Sequence, residues 1–283
     1  MRNGWAWMRS HKRRCTALAV GGVVLGYGVT YGVVASADSI ASDIAVLQDG
    51  REIGFARWGS EAPRVRIVLV HGAPADASCW NRVRELANRI PDAEWIAVDR
   101  LGYGRSSPDC ETRLAEHAQS LSQFLNDAPS GGVILVGHSY GGPVVLRAAT
   151  AYPEKMKGIV LVAGACDAYM NDAQWFRKGV DALGKAVPPA WSHANRELLA
   201  LTDENRAMEA ILDRVTCAVS IIHGTWDPVC PFEGTTGYLT TRLVSATEVH
   251  VVEQPRALHN LHVTHSEEVI GEIQRVMKPS HSR

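Results

Sequence analysis

Six short apolar runs, rich in Val and Ile and spread along the chain, limit the available folds more than any other feature. They are Val65–Val70, Trp95–Val98, Val133–Val136, Ile159–Val162, Ala218–Ile222 and Val249–Val252. Each is too short for a helix and mostly apolar, so each reads as a strand buried on both faces. Between most of them lie segments with helical spacing, clearest at Ser78–Arg89, Arg113–Leu125, Gly141–Tyr152 and Glu267–Met277. This alternation predicts an α/β domain, a mostly parallel twisted sheet with helices on both faces. Residues 43–59 add a β-hairpin around the turn dipeptide Asp49-Gly50. Ligands of such sheets bind at the carboxyl ends of the strands, so the chemistry is expected just after the apolar runs. The interval from Asp167 to about Arg214 breaks the rhythm. It holds Trp175, Phe176, Trp191, Pro188-Pro189 and helical stretches around Arg196–Leu201 and Ala207–Leu212. It reads as a small helical insertion over the strand ends, a lid.

The first 37 residues have a different character. Residues 1–14 carry five basic side chains and no acid, and Cys15–Ala37 then runs for 23 residues without a charge. A basic start, an apolar run and the small-residue end Ala35-Ser36-Ala37 describe an export signal. The run is also long enough for a membrane-spanning helix. The chain therefore divides into a signal or membrane anchor (1–37) and one α/β domain (38–283). Under either reading the basic end stays cytoplasmic and the domain is exported. The domain is anchored by residues 15–37, or secreted or periplasmic if the chain is cleaved after Ala37. Its 24 basic and 30 acidic side chains leave no electrostatic footprint for nucleic acid. Cys79, Cys110, Cys166, Cys217 and Cys230 are odd in number and include no C-x-x-C pair, so they read as buried thiols and not as a zinc site.

Gly137-His138-Ser139-Tyr140-Gly141 directly follows the strand Val133–Val136 and precedes a helical segment. This is the G-x-S-x-G elbow in its strand–turn–helix setting. A sharp turn exposes the Ser139 hydroxyl. It also brings the residues two before and two after it so close that only small ones fit, as Gly137 and Gly141 do. A serine hydroxyl is a weak nucleophile that needs a base, and the base needs an orienting acid. Candidate acids follow two strands, Asp227 after Ala218–Ile222 and Asp167 after Ile159–Val162. Candidate bases cluster after Val249–Val252 as His259, His262 and His265. A metal site built on those three histidines is the competing reading of the cluster.

With these residues in view, the chain resembles the α/β-hydrolase superfamily across residues 43–278. The resemblance rests on Val68-Leu69-Val70-His71-Gly72, on Asp99 to Ser106 (DRLGYGRS), on the elbow, on His223 to Pro231 (HGTWDPVCP) and on a late histidine. It implies the α/β-hydrolase fold and the chain order Ser, acid, His, with Ser139 as nucleophile, Asp227 preferred to Asp167 and His259 preferred to His262. Leu258 stands where the family often has Gly. The oxyanion hole is expected from the backbone N–H of Tyr140 and of Ala73, since Pro74 has none. His71 is expected to be structural, and Asp99-Arg100 to form a salt-bridged turn in the pocket wall.

The resemblance thus implies a serine hydrolase cleaving an ester or related acyl bond of a small, fairly apolar substrate through an acyl-enzyme, with no metal or organic cofactor. Amide, carbon–carbon or cofactor-free peroxide chemistry on the same triad remains open. So does a non-catalytic, membrane-anchored binding module of the same fold.

Overall fold

The computed structural model describes residues 40, 42–168, 182 and 187–278. Residues 1–37, read as a signal or anchor, lie outside them, as does most of the interval 169–186. Eight strands form one sheet in the order β1-β2-β4-β3-β5-β6-β7-β8. They are β1 (Asp43–Val46), β2 (Glu52–Gly59), β3 (Val65–Val70), β4 (Ala93–Val98), β5 (Val133–His138), β6 (Met156–Val162), β7 (Ala218–Gly224) and β8 (Val249–Gln254). β1 and β2 pair antiparallel, as do β2 and β4. Every pairing among β3 to β8 is parallel. The hairpin turns through Gly50, whose φ of 85° suits a residue without Cβ.

The central strands are buried along their whole length, VRIVLV in β3 and VILVGH in β5, which requires cover on both faces. On one face lie α1 (Asn81–Glu85) and, at the chain's end, the helix Ser266–Met277. That terminal helix buries Val269, Ile270, Ile273 and Val276, one helical stripe, and carries Glu267 and Glu268 in its first turn, where the helix dipole favours acids. On the other face, α2 (Leu114–Ser120) packs on α4 (Gly141–Ala151), which lies against β5, β6 and β3.

Some elements depart from the sequence reading. The segment Ser78–Arg89 is not one helix but α1 between two 3₁₀ turns, Ala77–Trp80 and Ala87–Arg89. The segment Arg113–Leu125 breaks at Leu121 into α2 and α3 (Ser122–Asn126). There the Ser120 hydroxyl donates to the His117 carbonyl at 2.7 Å, back-bonding of the kind that bends helices. The two helical stretches expected in the insertion are one helix, α5 (Pro189–Glu209), which begins on Pro189 at its first turn. A helix between β7 and β8, α6 (Phe232–Arg242), had no apolar period to reveal it. α7 (Leu261–Thr264) and α8 (Ser266–Met277) complete the order. No disulfide joins Cys79, Cys110, Cys166, Cys217 and Cys230, and all but Cys110 are buried. Among the described residues no helix is long and apolar enough to cross a membrane.

The strand order reverses at β3, so the chain leaves β3 and its neighbour β5 toward opposite sides. The crevice at their carboxyl ends is where such sheets hold ligands.

Candidate active site

β5 ends at His138, and the chain turns through Ser139 and Tyr140 straight into α4. Ser139 has a φ of 51°, positive for a residue with a side chain, a conformation that costs about 1–3 kcal/mol. Three backbone bonds hold it there. The Ser139 N–H donates to Val162 O at 3.1 Å, and its carbonyl accepts from the N–H of Gly142 and of Ala165, each at 2.9 Å. The corner is so tight that a Cβ on Gly137 would lie 2.3 Å from Gly141 O, and one on Gly141 2.2 Å from Val70 O. The strain at Ser139 is thus enforced by backbone packed on all sides.

Asp227 follows β7, and His259 sits in the loop between β8 and α7. His259 Nδ1 and Asp227 Oδ2 are 2.7 Å apart, with both side chains buried. The other oxygen, Oδ1, accepts the N–H of Val229 at 2.8 Å and of Cys230 at 3.0 Å. Burial pushes the Asp227 carboxyl up. The His259 charge and the hydrogen bonds from His223, His259 and Cys230 outweigh it and hold the group well below the usual carboxylate range. A carboxylate so fixed keeps its charge and sets the His259 proton on Nδ1.

His138 connects this pair to the elbow. Its Nε2 donates to the His259 carbonyl at 3.2 Å, and its ring centroid is 5.0 Å from that of His259. Behind it the His262 ring lies at 3.9 Å, backed in turn by Trp80 at 5.4 Å. Burial, followed by the charge of His259, drives His262 down to about 3, so it stays neutral and serves as packing. His265 is held by Thr264 Oγ1 at 2.8 Å, on the exposed side. Among the described residues no set of three or more His, Cys, Asp or Glu side chains is placed to hold a metal ion. Asp167 lies elsewhere, against Gly234 of α6, and its carbonyl accepts from Asn205 Nδ2 at 3.2 Å.

The loop after β3 passes over the serine. A Cβ on Gly72 would stand 2.7 Å from Ser139 Cβ. Ala73 follows, joined to Pro74 by a cis peptide. Tyr140 is the N-cap residue of α4, and N–H groups at a helix start have no partner within the helix. The two N–H groups expected to face an oxyanion therefore belong to segments in contact around Ser139. His71 fixes the loop. Its Nδ1–H donates to Gly72 O at 2.6 Å, while Nε2 accepts the Arg100 N–H at 2.9 Å. That assignment requires a neutral ring, and burial followed by the Arg100 charge holds its pKa well below the ordinary value.

Asp99 and Arg100 are not salt-bridged to each other as expected. The Asp99 carboxylate accepts the N–H of Ala77 at 2.7 Å and of Arg105 at 2.9 Å, bonds that pin two turns. Arg100 instead pairs with Glu197 of α5, both fully buried. Sequence reasoning missed Glu197 and the second imidazole on Asp227, His223, whose Nε2 is 3.3 Å from Asp227 Oδ2. His223 carried a signal, four residues before the acid in the HGTWD run. Glu197 carried none, because its partner is 97 residues away.

Comparison with known proteins agrees with this architecture. The Alpha/beta hydrolase family profile matches residues 67–273. The chain is 32% identical to Lipase LipV of Mycobacterium tuberculosis over 166 residues, 57% of this chain and 61% of that protein. It is 32% identical to the putative chloroplastic methylesterase 15 of Arabidopsis thaliana over 152 residues, 52% of this chain and 34% of that protein. The chain thus spans less than two thirds of either relative. Among solved structures, alpha/beta hydrolase domain-containing protein 10 from mouse superposes with a TM-score of 0.64 at 22% identity, over 83% of this chain and 98% of that one. A family profile covering most of the chain, on a sheet of this order with a strained serine at its crevice, places the chain in the alpha/beta hydrolase family.

Proposed function

We propose that this chain is a serine hydrolase that cleaves an ester or related acyl bond of a small, fairly apolar substrate. Ser139, held at a positive φ on the strand–helix corner whose preceding residue, His138, bonds the His259 of the Asp227–His259 pair, is the observation that carries the reading. His259 Nε2 takes the Ser139 proton as Oγ attacks the acyl carbon. Asp227 keeps the other proton on Nδ1 and stabilises the imidazolium. The Ala73 and Tyr140 N–H groups receive the negative charge of the tetrahedral intermediate. The leaving group departs with the proton from His259, giving the acyl-enzyme. Water, deprotonated by the same imidazole, then releases the acid and returns the proton to Ser139.

The apolar substrate is supported by Trp226 and Leu258. Both are large and exposed, and they neighbour Asp227 and His259 in the chain. The Trp226 N–H donates to Ala257 O at 3.1 Å, so the two loops lie side by side at the rim. Names of relatives that include a lipase and a methylesterase agree with acyl chemistry. We also propose that residues 1–37 deliver the domain across the membrane, so that the substrate is met outside the cytoplasm, and that α5 belongs to a lid over the strand ends.

Labelling with a fluorophosphonate tests the central claim. Wild type is expected to be labelled, and Ser139→Ala not. A folded wild type that resists the probe and hydrolyses no ester in a chromogenic panel of varied chain length refutes the proposal.

A further inference from the structure

The buried pair Arg100–Glu197 lies against both halves of the proposed oxyanion hole, and its arrangement is more specific than stability requires. Arg100 Nε donates to His71 O at 3.0 Å and Nη2 to Gly72 O at 3.3 Å. These are the carbonyls of the two residues before Ala73. The guanidinium also lies between two rings, 4.7 Å from the Tyr103 centroid and 4.5 Å from that of Tyr140, within cation–π range. One side chain therefore touches the loop that carries one oxyanion donor and the residue that carries the other. Its remaining bonds go to Glu197, from Nη1 to Oε1 and from Nη2 to Oε2 at 3.1 Å.

Glu197 is held as completely. Besides Arg100, its oxygens receive Tyr103 OH at 2.7 Å and His117 Nε2 at 3.2 Å, so all four acceptor sites of the carboxylate are used. Residues of α5 also seat it elsewhere on the same end of the sheet. Glu204 Oε2 accepts the Leu114 N–H at 2.8 Å, and His193 Nδ1 donates to Gly102 O at 3.0 Å. A buried ion pair is weak as a source of stability, since apolar residues of the same volume commonly replace it without loss. What an apolar pair does not supply is the planar fork that grips two carbonyls and a carboxylate at once.

We propose that Arg100 is a positioning residue for the oxyanion hole and that Glu197 locks it in place, so that the hole is formed only while helix α5 is seated on the strand ends. This rests on the serine-hydrolase reading above. Glu197 acts through Arg100 alone, and the two together couple the insertion to the chemistry without touching the substrate.

The test uses the full chain and the hydrolysis of p-nitrophenyl butyrate. The double variant Arg100→Met/Glu197→Leu removes both charges and keeps the volume. It is expected to fold, by circular dichroism, and to lose about 100-fold in kcat with KM within about threefold, the signature of a lost oxyanion contact. Arg100→Met alone is expected to lose no less than the double variant, because the two residues act as one unit. Arg100→Lys keeps the charge but not the fork, and is expected to recover less than a tenth of wild-type kcat. A folded double variant with kcat within threefold of wild type overturns the inference, as does full activity in Arg100→Lys. Should the double variant fail to fold, Glu197→Gln and Arg100→Lys decide, and wild-type kcat in both refutes the coupling. Fluorophosphonate labelling separates the two levels. An unlabelled wild type refutes the hydrolase reading and this inference with it, whereas labelled variants with unchanged kinetics refute the inference alone.

Discussion

Replacing Asp227 by Asn tests the proposed triad through a tautomer. The carboxylate Oδ1 accepts two backbone N–H groups, from Val229 and Cys230, and Oδ2 faces His259 Nδ1 at 2.7 Å. An asparagine has one acceptor oxygen and one donor nitrogen for these two places. With its oxygen on the two N–H groups, its NH₂ faces His259, which must then accept on Nδ1 and carry its proton on Nε2. That is the wrong tautomer for a base. The flipped amide preserves the tautomer but sets an NH₂ against two N–H donors. Each unmade bond costs about 1–3 kcal/mol, and the flip keeps the longer His223 contact on Oδ2, so its net cost is roughly 3 kcal/mol, or about two orders of magnitude in population. The imidazolium also loses its counter-charge. Asp227→Asn is therefore expected to lower kcat for a chromogenic ester by about 10³–10⁴-fold, in the range known for such triads, while urea denaturation shows the fold retained. Asp167→Asn, prepared alongside, is expected to stay near wild type. Retention of more than a tenth of wild-type activity by Asp227→Asn, or a larger loss in Asp167→Asn, refutes the assignment.

Glu197 predicts an acid limit. Burial pushes its carboxyl up, but the Arg100 charge and the His117 bond outweigh it and set it at about 2, against 4.5 for a free side chain. Because the folded value is the lower one, its contribution is complete above about pH 4.5 and is lost as pH falls through 2. The stability gap between wild type and Glu197→Gln, measured by urea denaturation, is expected to narrow by roughly 3 kcal/mol between pH 5 and pH 2, and a constant gap contradicts this. Gly141→Ala drives a methyl group into the Val70 carbonyl of a central strand. It is expected to cost more than about 1–3 kcal/mol and to abolish fluorophosphonate labelling, so a stable, labelled variant would refute the tight-corner argument. Trp226→Ala removes exposed apolar surface at the proposed rim. It is expected to lower kcat/KM for octanoate relative to acetate esters by roughly fivefold, on the order of 1 kcal/mol, and an unchanged ratio takes Trp226 out of the substrate path.

The elements that the sequence reveals are those whose burial is apolar and local. β3 to β7 are mostly apolar runs buried along nearly their whole length, so the pattern of a few residues suffices to find each one; β8, expected to be buried on both faces, is instead a half-buried strand at the sheet edge, found by its valines alone. The elbow was legible for the same reason. Its requirement for a small residue at Gly137 is set by Gly141 and Gly142, within five residues, while that at Gly141 is set by the Val70 and His71 carbonyls of β3 and the loop after it. Helix α5 shows the opposite case. Its buried side holds Asn195, Glu197, Thr202 and Asn205 beside Ala194, Leu201 and Met208, so an apolar period catches only fragments of it. Those polar residues are buried because their partners, such as Arg100 for Glu197 and the Ala165 carbonyl for Asn205 at 2.9 Å, come from the strand ends. No window of sequence contains both members of either pair. The expected Asp99–Arg100 salt bridge failed for a related reason. Adjacent residues on an extended chain point apart, so Asp99 takes backbone N–H groups of two turns while Arg100 reaches Glu197 of α5.

This division follows from the sheet order. At β3 the chain reverses direction across the sheet, so the ends of β3 and β5 are neighbours whose connections diverge. In the proposed mechanism the crevice between them brings the Ala73 and Tyr140 N–H groups to the alcohol raised at the β5 corner. Acid and base must then arrive from β7 and β8, two and three strands beyond β5, and their loops need a fixed support. The His138 ring provides it, donating to the His259 carbonyl from the residue before Ser139. The polar crevice floor is left to be closed from above. A wholly apolar insertion would seal it but leave the buried Arg100 guanidinium, which donates to the His71 and Gly72 carbonyls, without its counter-charge. A cation below and a carboxylate on α5 satisfy those groups together, which is why the covering helix carries its acid on the buried side.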